Sequence, residues 1–88
     1  MVDIKEILQT VVQQGASDLH LTDGRPPMLR VHGELMASSF PVLSRDDTKA
    51  LIYGILKDEQ KARFEEELEL DFALDIPNIA RFRVNAHV

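Results

Sequence analysis

The stretch ELDFALDIPNIARFRVNAHV, residues 69–88, decides the fold. Leu70, Phe72, Leu74 and Ile76 alternate with Glu69, Asp71, Ala73 and Asp75. Ala80, Phe82, Val84, Ala86 and Val88 alternate in turn with Arg81, Arg83, Asn85 and His87. A period of two belongs to a strand with one buried face, so the spacing predicts amphipathic strands over 69–76 and 80–88. The buried positions are even-numbered in both strands. Opposed residues of an antiparallel pair have a constant index sum, so that sum must be even here. A two-residue Pro77-Asn78 turn makes the sum odd and sets Leu74 against Arg81. An odd loop, such as Pro77-Asn78-Ile79, restores the match and then sets Asp75 against Arg81 on the solvent face.

Upstream the period changes. Ile4, Ile7, Leu8, Val11 and Val12 follow the spacing of one helical stripe over residues 3–14. Asp3 can cap this helix, Glu6 stands in capping-box position, and Gly15 suits the left-handed residue after the helix end. Residues 17–22 alternate, with Leu19 and Leu21 on one face and Asp18 and His20 on the other. After the punctuated loop Asp23-Gly24-Arg25-Pro26-Pro27, a strand over Met28–Val31 and its return over Glu34-Leu35-Met36 flank His32-Gly33, a pair suited to a two-residue hairpin turn. Residues 38–43 read as a short linker containing Pro41. Ser44, with Asp47 three residues on, caps a second helix whose apolar stripe is Leu51, Ile52, Ile55 and Leu56. Asp58 starts a third helix through Lys61, Phe64 and Leu68, with Glu65, Glu66 and Glu67 on its polar face. The order is α-β-β-β-α-α-β-β, an α+β layer of helices on a mostly antiparallel sheet.

Eighty-eight residues make one domain with one modest core. A hydrophobic share of 44% with 28% charged residues is globular composition and excludes a disordered chain. The formal net charge of −5 argues against nucleic acid as a partner, because a nucleic-acid footprint is strongly basic. Without cysteine there is neither a disulfide scaffold nor a thiolate metal site. No run approaches the roughly 18 apolar residues of a membrane span, and charges stand where a signal peptide would be apolar, so a cytoplasmic location without direct membrane insertion is expected.

No complete catalytic site is visible. Gly15, Gly24, Gly33 and Gly54 fit neither G-x-x-x-x-G-K-[ST] nor G-x-G-x-x-G, so nothing here cradles a nucleotide phosphate unaided. His20, His32 and His87 with Asp18 match no compact metal-ligand spacing. Ser17, Ser38, Ser39 and Ser44 sit in cap or loop contexts, without the G-x-S-x-G of a nucleophile elbow. The Glu65-Glu66-Glu67 run reads as a solvated helix face. Arg81 and Arg83 are different: two guanidinium groups project one pleat apart from one strand face. They can pair across the strands with Asp75 and Asp71, or they can clamp an anion, since the guanidinium fork suits phosphate oxygens.

Three ordered segments then carry a resemblance: Gly15-Ala16-Ser17-Asp18-Leu19-His20-Leu21, Pro26-Pro27-Met28-Leu29-Arg30-Val31-His32-Gly33 and Ala80-Arg81-Phe82-Arg83-Val84-Asn85-Ala86. With Phe64 to Phe72 they resemble the N-terminal domain of the PilT-type pilus retraction ATPases of the secretion ATPase superfamily, over nearly the whole chain. The resemblance implies a PAS-like α+β domain, residues 1–88 being the N-terminal domain of a larger ATPase whose RecA-like domain is absent from this chain. It implies a hexamer in which this domain packs on the ATPase domain of its own and the neighbouring subunit. It further implies a pilus platform at the bacterial inner membrane as partner, ATP with Mg as cofactors of the parent and none for the fragment, and Arg81 and Arg83 as nucleotide-phosphate contacts.

The family's Walker motifs and catalytic carboxylate belong downstream, so ATP hydrolysis by these 88 residues alone is not expected. His32 stands where relatives often carry Asp before Gly. The family domain continues into a further strand, so ending at Val88 is expected to leave an exposed edge that could pair with another chain as a strand-mediated dimer. The alternatives are a stand-alone PAS-like sensor with a ligand in its core and an interaction module of another type II/IV secretion ATPase.

Overall fold

A computed structural model describes residues 2–88 of the chain. Its elements run α1 (Ile4–Gln14), β1 (Asp18–Thr22), β2 (Met28–Val31), β3 (Glu34–Ala37), α2 (Arg45–Tyr53), α3 (Asp58–Glu67), β4 (Glu69–Ile76) and β5 (Ala80–His87). This is the element order read from the sequence. The strands form one sheet in the order β3-β2-β1-β5-β4, antiparallel except for the parallel pair β1·β5.

The β4–β5 register has the even sum that parity demands. Ile76 opposes Ala80, Leu74 opposes Phe82, Phe72 opposes Val84 and Asp75 opposes Arg81. The loop is the three residues Pro77-Asn78-Ile79: Ile79 N donates to Ile76 O at 3.0 Å, closing a turn with Pro77 and Asn78 at its centre, and Asn78 takes the left-handed conformation, φ 64°, that the second central position of such a turn requires. The β2–β3 hairpin turns on His32 and Gly33, both at positive φ (50° and 81°), the pattern of a type I′ turn.

Alternate strand residues meet the helices on one side of the sheet. Leu19, Leu21, Leu29, Leu70, Phe82, Val84 and Ala86 join Ile7 and Val11 of α1, Leu51 and Ile52 of α2, and Phe64 of α3 in one core. Gly15, φ 65°, closes α1 with a paired bond pattern: its N–H donates to Val12 O at 3.1 Å, and the Ala16 N–H donates to Val11 O at 3.0 Å. The chain thereby turns from α1 directly into β1, the central strand of the sheet.

Three local details differ from the sequence expectation. Asp3 caps α1 by accepting from Lys5 N at 2.9 Å, and Glu6 makes no reciprocal side-chain bond among the described residues. Helix α2 stops at Tyr53, so Ile55 and Leu56 lie beyond it; Gly54 is a poor helix former, and the backbone must become extended at Lys57 to start α3. Leu56 reaches the core all the same. Strand β5 is not an edge, because β1 and β4 flank it on its two sides; the edges are β3 and β4. Pairing with another chain through a sheet edge would therefore have to use β3 or β4 rather than β5.

The α2 cap is complete. Asp47 N donates to Ser44 Oγ at 3.0 Å, and Ser44 N donates to an Asp47 carboxylate oxygen at 3.1 Å. Ser44→Ala is expected to cost about 1 kcal/mol, read as a Tm lowered by roughly 4–8 °C in a domain of this size. The bond from Ser44 N holds the Asp47 carboxyl below its ordinary value of 3.8. A depressed carboxylate contributes stability above its unfolded pKa and loses it as pH falls through the folded one, so this half of the cap weakens only in acid below that ordinary value.

Candidate functional site

Arg81 and Arg83 stand on β5 facing away from the helices, on the exposed side of the sheet. Alternation places them there: Phe82 and Val84 between and beside them are buried, and a residue two positions along a strand returns to the same face. β5 lies inside the sheet, so other side chains flank both arginines. On one side β4 presents Asp71, Ala73 and Asp75, and on the other β1 presents Asp18 opposite Arg83.

The two arginines differ in their partners. Arg83 Nη2 donates to Asp71 Oδ2 in an ion pair that runs diagonally, since the direct neighbour of Arg83 is Ala73 and that of Asp71 is Asn85. The small Ala73 side chain leaves the diagonal open. The hydrogen bond to Asp71, then its charge, with Asp18 adding a smaller contribution, push the Arg83 guanidinium pKa further above its ordinary value. With the Arg83 side chain 66% exposed, this pair contributes little to stability. Arg81 lies directly opposite Asp75, but it makes neither an ion pair nor a side-chain hydrogen bond among the described residues. Of the two cross-strand pairs anticipated for these arginines, one forms.

A second ion pair shares this face. Arg30 Nε of β2 lies 3.4 Å from Asp18 Oδ2, and its Nη1 donates to Gly33 O at 3.1 Å. Ser17 ties the strands together beneath these groups: its N–H donates to Arg30 O at 2.9 Å, and its carbonyl accepts from Arg83 N at 3.0 Å. Ser17, Asp18, Asp71, Phe72, Arg81 and Arg83 line a wide, open depression. A depression with two guanidinium groups and no enclosing wall can offer N–H donors to an anion brought by another surface; it cannot surround one.

The other candidate residues do not converge on it. His32 occupies the β2–β3 turn, and His87 is exposed at the end of β5, opposite Glu69. His20 is half-buried on β1, with its Nε2 lacking a hydrogen-bond partner. No three His, Asp or Glu side chains among the described residues are grouped to hold a metal ion. Ser44 is consumed by its cap, and the Ser17 hydroxyl donates to Arg30 O at 3.4 Å. The acidic run on α3 is exposed but not wholly solvated, because Glu65 accepts from the Tyr53 hydroxyl at 2.9 Å and Glu67 pairs with Arg63 at 3.0 Å. Among the described residues no helix is long and apolar enough to cross a membrane.

Sequence reading passed over Arg30 and the diagonal choice of Asp71. A signal for the first existed: Leu19, Leu21, Leu29 and Val31 are all odd-numbered, so an antiparallel β1–β2 pair has an even sum, and Asp18 against Arg30 satisfies it. Parity leaves neighbouring even sums open, and the five-residue loop between the strands does not choose among them.

No family model matches the chain. It is 51% identical over 85 residues, 97% of its length, to the type IV pilus retraction ATPase PilT of Pseudomonas aeruginosa. It is 34% identical over 85 residues to the type IV pilus ATPase PilU of the same organism. The crystal structure of a pilus retraction motor PilT with bound ADP superposes with a TM-score of 0.73 at 34% identity, covering 94% of this chain and 24% of that one. The chain spans about a quarter of the length of these relatives: 25% of the first and 22% of the second.

Proposed function

We propose, for a chain that belongs to the PilT family of type IV pilus ATPases, that these residues are the N-terminal domain of a hexameric pilus retraction motor. In this reading the domain packs on the ATPase domain of the neighbouring subunit and offers Arg81 and Arg83 to the ATP site there. The motor acts in the cytoplasm against the pilus platform at the inner membrane. The observation that carries the reading is the helix-free sheet face on which Arg81 stands exposed and unpaired among the described residues, one pleat from Arg83.

The residues fit part of a nucleotide site and not the whole of it. Guanidinium N–H groups suit phosphate oxygens, and two of them lie beside one open depression. The glycine-rich cradle that would hold the β-phosphate, and the acidic cluster that would hold Mg, have no counterpart among the described residues. These parts belong to the second half of the site in this reading. The role left to this domain is to donate hydrogen bonds and positive charge to the phosphate oxygens as negative charge develops on them.

Supply from one subunit to the next makes a testable pattern. Full-length subunits carrying Arg81→Ala and Arg83→Ala together are expected to lose nearly all ATP turnover, and so are subunits whose downstream P-loop lysine is replaced. Mixed into one ring, the two kinds restore those sites where an intact arginine face meets an intact P-loop, and turnover returns in part. Mixed rings that form, as seen by native mass spectrometry, yet stay inactive at every ratio would sink supply in trans.

A further inference from the structure

The ion pair between Arg83 and Asp71 makes the two arginines of this face unequal. Arg81 has only the β4 residue Asp75 opposite it and makes no ion pair with it among the described residues. Arg83 has carboxylates on both sides: Asp71, which it contacts across the β4–β5 diagonal, and Asp18, its direct neighbour on β1. Asp18 is in turn compensated by Arg30 at 3.4 Å. Asp71 has no second cation: among the described residues its recorded ion pair is the one with Arg83.

An anion that approaches Arg83 therefore meets a guanidinium with one N–H engaged and a carboxylate beside it. It must displace Asp71 or accept its repulsion. The same anion at Arg81 displaces nothing. We propose that Asp71 restrains Arg83, so that Arg81 is the primary phosphate-contacting arginine and Asp71 sets how much Arg83 adds. The inference rests on the reading that this face meets a nucleotide phosphate. It makes Asp71 a positioning residue that acts through Arg83, with the strength of the restraint limited by exposure: the Arg83 and Asp71 side chains are 66% and 44% exposed.

Steady-state ATP turnover of the full-length parent distinguishes the parts. Arg81→Ala is expected to cost more in kcat/KM than Arg83→Ala. Asp71→Asn removes the restraint and is expected to lower KM for ATP about two- to fivefold, the range that exposed ion pairs reach. The gain must vanish in the double variant Asp71→Asn with Arg83→Ala, because it acts through Arg83 alone. Asp71→Glu, which keeps the charge, should stay closer to the wild-type KM, and Asp71→Ser, a second way to remove the charge at this exposed edge position, should match Asp71→Asn. A KM that is unchanged or raised in both Asp71→Asn and Asp71→Ser overturns the restraint, as does a gain that survives Arg83→Ala. If instead Arg81→Ala combined with Arg83→Ala leaves turnover intact, the nucleotide reading itself has failed. A collapse of that double variant with a neutral Asp71→Asn removes only the restraint.

Discussion

ATP turnover of the full-length parent is expected to fall about a thousandfold when Arg81 and Arg83 are both replaced by alanine, the low end of what an arginine finger contributes to phosphoryl transfer. The size follows from where charge appears. Phosphoryl transfer spreads negative charge over equatorial oxygens, and preorganised donors aimed at them count for more in a closed, water-poor site, such as the proposed subunit interface would form, than in solution. The loss should not be a folding defect. Both side chains lie on the exposed face, Phe82 and Val84 carry the packing of β5, and the one ion pair removed is an exposed one. The isolated domain should keep its Tm to within roughly 3 °C, as surface changes do. Lysine at both positions keeps the charge but loses the planar fork, so it should restore only part of the rate. Wild-type turnover in the double alanine variant would remove the arginine role altogether.

The sheet was legible in the sequence because period and parity constrain each other. Alternation identified β4 and β5, and parity excluded a two-residue turn in favour of an odd loop, of which the three-residue Pro77-Asn78-Ile79 pairs Asp75 with Arg81. Such constraints act within a hairpin, where the chain between the strands is too short to permit other registers. They fail between distant strands. Nothing in the alternation of Asp18-Leu19-His20-Leu21 says that β1 lies parallel to β5 and separates it from β2, and it is this placement that makes the last strand an interior one. The end of α2 was illegible for a different reason. Ile55 and Leu56 continue the apolar period, and Leu56 is buried, so the pattern is correct about burial while the backbone is no longer helical. A periodic stripe reports which side chains need the core, and it does not report which backbone delivers them.

The candidate site was legible at the level of residue type and face. Arg81 and Arg83 were identifiable because two like charges one pleat apart are conspicuous on an otherwise alternating strand. Their inequality was not. Asp71 and Asp75 are equivalent in the pattern, both acidic and both on the solvent face of β4, yet the carboxylate across the open diagonal engages an arginine and the one directly opposite does not. That choice depends on the side chain in between. Ala73, opposite Arg83, is short enough for the guanidinium to lean over it towards Asp71.

Phe64→Ala is expected to have the largest effect on stability. Helix α3 is unusually polar, DEQKARFEEE, and Phe64 is the one buried residue of its ten. Its ring is fully buried and meets the Tyr53 ring edge-on, with centroids 6.1 Å apart at 88°. The Phe64 carbonyl also accepts from Leu68 N at 2.7 Å, where the helix closes on a left-handed leucine without the help of glycine. Leu68 in turn accepts from Val88 N at 3.0 Å, which links the helix end to the end of β5. Removing the ring costs about 3–5 kcal/mol, against a total of about 5–15 kcal/mol for a whole domain. A single core of 88 residues lies towards the lower part of that range. The Tm should drop by more than about 12 °C, and α3 amides should lose hydrogen-exchange protection before those of β1 and β5, because α3 has no second buried side chain to hold it. Phe64→Leu keeps apolar bulk and loses the edge contact to Tyr53, so it should destabilise distinctly less. Equal losses from Phe64→Ala and Phe64→Leu would show that the aromatic edge dominates over burial, and an unchanged Tm in Phe64→Ala would show that α3 is held by contacts other than this ring.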